Sequence, residues 1–158
     1  MTPLAHVENA APLWAGLVFA VGQDLRSRRI ENGLNAALVV AGLAMWAAGG
    51  GWRGLLLSGA GLAACTVLGV LSFSRGWLGA GDTKLLAAVG AWVGLPLVPM
   101  LVLSTAVAGG VVSLGTLALA GKAAAQRGEI LARPRAAQVP YAIAIAAGAA
   151  ATAIMGGT

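Results

Sequence analysis

The chain holds 158 residues, 59% of them hydrophobic and only 9% charged, with a mean hydropathy of +0.87. That composition excludes an ordinary soluble domain and reads as an integral membrane protein. The net charge of +5 would point to nucleic acid in a soluble protein, whereas in a membrane chain the placement of the charges carries the information.

Apolar runs cover residues 5–23, 34–48, 54–73, 85–103, 104–120 and 138–155. With frayed ends each approaches the ~17–25 residues of a spanning helix. Residues 1–11 carry Glu8 and no basic stretch, so no cleavable signal peptide is expected. The first run closes on Asp24, followed by Arg26, Arg28 and Arg29. The second is short and borrows 31–33 and 49–51. The third contains Cys65, the only cysteine, which rules out a disulfide framework or a CxxC zinc site. The break between the fourth and fifth rests on Pro96 and Pro99. A basic segment, 121–138, leads to the last run, where Ala144, Gly148, Thr152 and Gly156 form a small-residue packing stripe.

Nine of the ten basic residues fall in alternate loops, and Arg53 alone lies on the other side. This positive-inside pattern places both chain ends outside. Trp46, Trp52 and Trp92 map to the outer interface with Trp14 toward it, and Trp77 maps to the inner one. The expected architecture is an all-α polytopic protein of six transmembrane helices, forming one domain over residues 1–158.

The chain contains two aspartates and three glutamates, and both aspartates sit where apolar segments meet basic loops. Ionisable groups are costly there unless used. Asp82, in Gly79-Ala80-Gly81-Asp82-Thr83-Lys84-Leu85, can be read as a helix cap or as a reactive carboxylate. Asp24 can be read as a stop residue paired with Arg28 on one helical face. A carboxylate at a helix C-terminus is nevertheless poorly placed for stability alone. Helix one runs inward and helix four starts inward, so the two carboxylates share one membrane depth. Two such groups within a few Å share a proton, one activating water while the other donates to a carbonyl. The dipole at Asp82 makes it the expected base and Asp24 the expected acid. Lys84 either snorkels to the inner surface or biases the field at Asp82.

Other chemistries lack their parts. His6 is the only histidine and lies near the N-terminus, so serine or cysteine nucleophiles have no histidine base. There is no HExxH, P-loop or dinucleotide fingerprint. Two carboxylates and water require neither cofactor nor metal.

Three features resemble the prepilin peptidase (type IV leader peptidase) family of GxGD aspartic membrane proteases. They are Asp24 followed by Arg28, Arg29, Ile30 and Asn32; the Gly79–Leu85 segment; and Val139-Pro140-Tyr141-Ala142 opening the last helix. The family pattern has proline where Glu31 stands and commonly glycine where Ala142 stands. The resemblance implies that Asp24 and Asp82 are the catalytic pair, supported by Gly79, Gly81, Lys84, Asn32, Pro140 and Tyr141. It implies removal of the short leader of prepilins and pseudopilins at the cytoplasmic face of a bacterial inner membrane, without nucleic acid and with pilus assembly machinery as a further partner. Longer family members carry a cysteine-rich insertion and methylate the new N-terminus. This chain resembles the short, peptidase-only form of tight-adherence (Flp-type) pili. Archaeal preflagellin peptidases are the nearest alternative. A non-catalytic scaffold or small transporter is the alternative from another class.

Overall fold

The computed structural model describes residues 11–27, 31–127 and 141–156. They form helices α1 (Ala11–Ser27), α2 (Asn32–Ser74), α3 (Ala80–Val93), α4 (Val98–Arg127) and α5 (Tyr141–Gly156), with a 3-10 turn (Leu95–Leu97) between α3 and α4. Helix α2 is interrupted at Gly51, whose φ of 55° and ψ of −140° are not helical. A Cβ on Gly54 would strike the backbone of Trp46, although eight residues of continuous helix would hold the two ~12 Å apart. The chain therefore doubles back at Gly51, and the described residues contain six helical stretches. The long apolar runs produce helices because a backbone that cannot hydrogen-bond to lipid must satisfy itself internally.

One boundary differs from expectation. The run read as 85–103 is broken ten residues early, because α3 ends at Val93 and α4 starts at Val98. Gly94 has a φ of +70°, a backbone region that favours glycine, and its N–H caps Gly90 O at 3.0 Å. Pro96 lies in the turn that follows. The 14 residues of α3 rise ~21 Å, short of the ~30 Å hydrocarbon core. Two segments, Asn32–Ser74 and Leu95–Ala118, are long and apolar enough to cross a membrane, and Tyr141–Met155 is a shorter apolar helix.

The bundle is organised around α3, which is buried without interruption from Leu85 to Val93. Both limbs of α2 hold it. From the first limb, Trp46 Nε1 donates to Trp92 O at 2.7 Å, and Trp92 Nε1 returns the contact to Leu38 O at 2.8 Å. From the second limb, Ser58 Oγ donates to Ala91 O at 2.6 Å. The donors to Trp92 O and Ala91 O satisfy carbonyls that the C-terminus of α3 leaves open. Trp46 and Trp92 are thus interior braces, 5% and 3% exposed, and not the interfacial aromatics expected. Trp52 and Trp77 are exposed. The second limb approaches α3 through Ser58, Gly61, Cys65 and Gly69, with small residues on one face. A Cβ on Gly61 would meet Gly90 O, and one on Gly90 would lie 2.6 Å from Cys65 Sγ.

Helices α4 and α5 pair through the anticipated stripe. Ala144, Gly148 and Thr152 are buried, and Ser104 Oγ meets Gly148 O at 3.0 Å and Thr152 Oγ1 at 3.2 Å. The outer surface is apolar, with Val40, Val67, Leu103, Val107, Val111 and Leu114 exposed, as a membrane-facing surface is.

Gly61→Val should destabilise the fold by about 3 kcal/mol, since the added carbons meet backbone that cannot yield. Gly59→Val, at a position with open space around it, should be nearly neutral. Thermal unfolding of both variants in detergent checks the contrast.

Candidate active site

The first turn of α3 is built around a backbone group. Gly79 is the N-cap, with φ −77° and ψ 158° and no side chain to offer. Asp82, three residues on, reaches back so that its carboxylate accepts a hydrogen bond from the Gly79 backbone N–H. This is the returning half of a capping box. A Cβ at position 79 would lie 2.9 Å from Asp82 Oδ2, so glycine provides the room for this approach. Thr83 fixes the turn from the other side, its Oγ1 within 3.0 Å of Gly79 O and 3.3 Å of Gly69 O. Gly81 is half-buried in the same turn.

Asp24 lies half-buried in the last turn of α1. The beginning of α2 links it to α3. Gln23 Oε1 accepts from Glu31 N at 3.1 Å, and Lys84 Nζ donates to Asn32 Oδ1 at 2.7 Å. Lys84 therefore ties α3 to α2 in addition to lying exposed at the surface. Tyr141 opens α5 and packs against α4, where a Cβ on Gly109 would sit 3.3 Å from its ring. Pro140, Arg28 and Arg29 lie outside the described residues. Among the described residues, no group of three or more His, Cys, Asp or Glu could hold a metal ion.

Asp82 precedes the apolar run that starts at Leu85, outside the spanning part of the chain. Burial pushes its pKa up to about 6, the nearby charge of Asp24 adds to the rise, and the Gly79 N–H opposes it. The two carboxylates are thus close enough to feel each other. A pair of this kind titrates as a unit. At Asp82 burial and the like charge outweigh the helix N-terminus, so its pKa is raised where the dipole argument alone expects it lowered. Because the folded chain binds this proton more tightly than the unfolded one, the stabilising contribution is complete below about 3.8. It is lost as pH rises through about 6.

Sequence reasoning passed over Gln23, Asn35 and the anchoring role of Thr83. Asn35 carried a usable signal, since it lies three residues beyond Asn32 and so on the same helical face.

A comparison with protein families matches residues 12–114 to the type IV leader peptidase family. The chain belongs to the type IV leader peptidase family. The matched stretch covers more than half of the sequence and runs from α1 into α4, taking in Asp24 and the whole Gly79–Leu85 turn. Neither curated proteins nor solved structures yield a match. Family membership makes this leader peptidase a membrane-associated protease for prepilin-type substrates in general.

A carboxyl NMR titration should place Asp82 near 6. Asp24→Asn should lower that midpoint without returning it to 3.8, because burial is the larger cause. Gly79→Ala should leave the fold intact while displacing the Asp82 carboxylate, cutting peptidase activity by about tenfold or more, as misplacement of a reacting group does. Activity and thermal unfolding measured on the same preparation separate the two effects.

Proposed function

We propose that this leader peptidase is an aspartic endopeptidase in which Asp24 and Asp82 carry the reaction. It removes the short leader of type IV, Flp-type prepilins and pseudopilins at the cytoplasmic face of a bacterial inner membrane. The observation that carries the reading is the electrostatic coupling of the two carboxylates, one of them held near pKa 6. They come from separate helices at the inner end of the bundle. The alternating basic loops support a six-span topology with both ends outside.

In this reading ionised Asp24 takes a proton from water as its oxygen attacks the scissile carbonyl carbon. Protonated Asp82 gives its proton to the carbonyl oxygen, forming a neutral gem-diol. On collapse, Asp24 passes its proton to the leaving amine as the C–N bond breaks, and a gem-diol hydroxyl returns a proton to Asp82. Both carboxyl groups end as they began. Gly79 and Thr83 hold Asp82 in place, and Lys84 with Asn32 joins the inner ends of α2 and α3. A transporter would place its ionisable groups near the bilayer midplane on broken helices, whereas these carboxylates lie at helix ends.

Co-expression with a pilin precursor, followed by mass spectrometry of its N-terminus, tests the proposal. Wild type should remove the leader, and Asp24→Asn and Asp82→Asn should each leave it intact while the proteins stay inserted and folded. The cleavage rate should fall about tenfold per pH unit above about 6, as Asp82 loses its proton. Leader loss persisting in either variant would remove that carboxylate from the mechanism.

A further inference from the structure

Asn35 is 6% exposed, and both ends of its carboxamide, Oδ1 and Nδ2, lack a hydrogen-bond partner. A buried polar group left unpaired costs about 1–3 kcal/mol, and a leucine of similar size would avoid the penalty. Such a side chain calls for a partner from outside the chain.

Its position says which kind. Residues 35, 38, 42 and 46 fall on one face of the first limb of α2, and all four are buried. Leu38 on this face packs against Gly16 of α1, Gly42 lies against Trp92 and Ala91 of α3, and Trp46 bonds to Trp92 O. The face therefore looks onto the seam between α1 and α3, the helices that carry Asp24 and Asp82. Asn35 lies roughly 4.5 Å along the helix from Asn32, whose side chain already meets Lys84 of the α3 first turn. It thus lies about one helical turn from the residue that bonds Lys84, two positions after Asp82. Nearby, the solvent-exposed bond from Glu31 N to Gln23 Oε1 ties the end of α1 to the start of α2.

We propose that Asn35 is a substrate-binding residue whose carboxamide pairs with one peptide unit beside the scissile bond, Nδ2 donating to its C=O and Oδ1 accepting from its N–H. The inference rests on the leader-peptidase reading. A peptide must be extended to be cut, and a peptide unit drawn into the covered seam beside Asn35 loses its water and needs new partners. The extended substrate and Asn35 each hold an unsatisfied donor and acceptor, and pairing them settles both.

The test uses the full chain in detergent with a fluorescent peptide spanning the leader junction of a pilin precursor. Asn35→Leu should be at least as stable to heat as wild type, because it deletes an unpaired buried amide, yet KM should rise about tenfold with kcat little changed. Binding of the same peptide to Asp82→Asn protein should weaken by a similar factor when Asn35→Leu is added. Asn35→Ala provides the same readout should leucine overfill the site. An unchanged KM overturns the proposal. A fall in kcat at constant KM also overturns it, assigning Asn35 to water instead, and lower stability in both variants assigns it a partner inside the chain. Failure of wild type to cleave any leader peptide removes the peptidase reading, while Asn35-dependent peptide binding in that event still supports the contact.

Discussion

Helix α3 is enclosed by α2. The two limbs that meet at Gly51 both pack against it, and the second does so at backbone level, glycine against glycine at Gly61 and Gly90. Close approach of this kind replaces the hydrophobic effect that lipid does not supply between apolar helices. Everything chemical in the chain inherits its position from this enclosure. The reciprocal indole bonds of Trp46 and Trp92 fix the C-terminal end of α3, and Thr83 bonded to Gly69 O fixes the N-terminal end. Asp82 sits one residue before that anchor, so the depth of the carboxylate is set by the packing of the helix as a whole.

Against this rigid element the second carboxylate is mounted differently. Asp24 lies in the last turn of α1, a helix held by its buried Leu13, Leu17 and Ala20, and beside it Gln23 bonds to Glu31 at the surface while Asn32 meets Lys84. Exposed hydrogen bonds are individually worth about 1 kcal/mol. Both carboxylates are thus half-buried, Asp82 in a first turn anchored by Thr83 and Asp24 in a last turn whose neighbouring side-chain bonds lie at the surface.

Much of this was readable from the residues. The scarcity of acidic side chains singled out Asp24 and Asp82, and hydropathy located the helical stretches because each is a near-continuous apolar run. Hydropathy could not see the end of α3, since the apolar residues continue past Gly94 and only the positive φ of that glycine interrupts them. It also could not separate a tryptophan buried between helices from one at a membrane surface, because both sit near helix ends in apolar sequence. The titration of Asp82 was misjudged for a related reason: a helix N-terminus is visible in sequence, whereas the burial that outweighs it is a property of the assembled bundle. Asn35 was hidden by its neighbourhood, a polar residue close to other polar residues, until packing showed it to be covered.

The brevity of α3 has a consequence for how the protein is made. Its 14 residues begin beside an aspartate and a lysine, and a segment of this length and charge is a poor substrate for insertion into a bilayer by itself. It enters with the neighbours that surround it, after both limbs of α2 have emerged from synthesis. The surface that α3 packs against thus precedes it in biogenesis, and Asp82 reaches its half-buried position only once the helices around it have assembled.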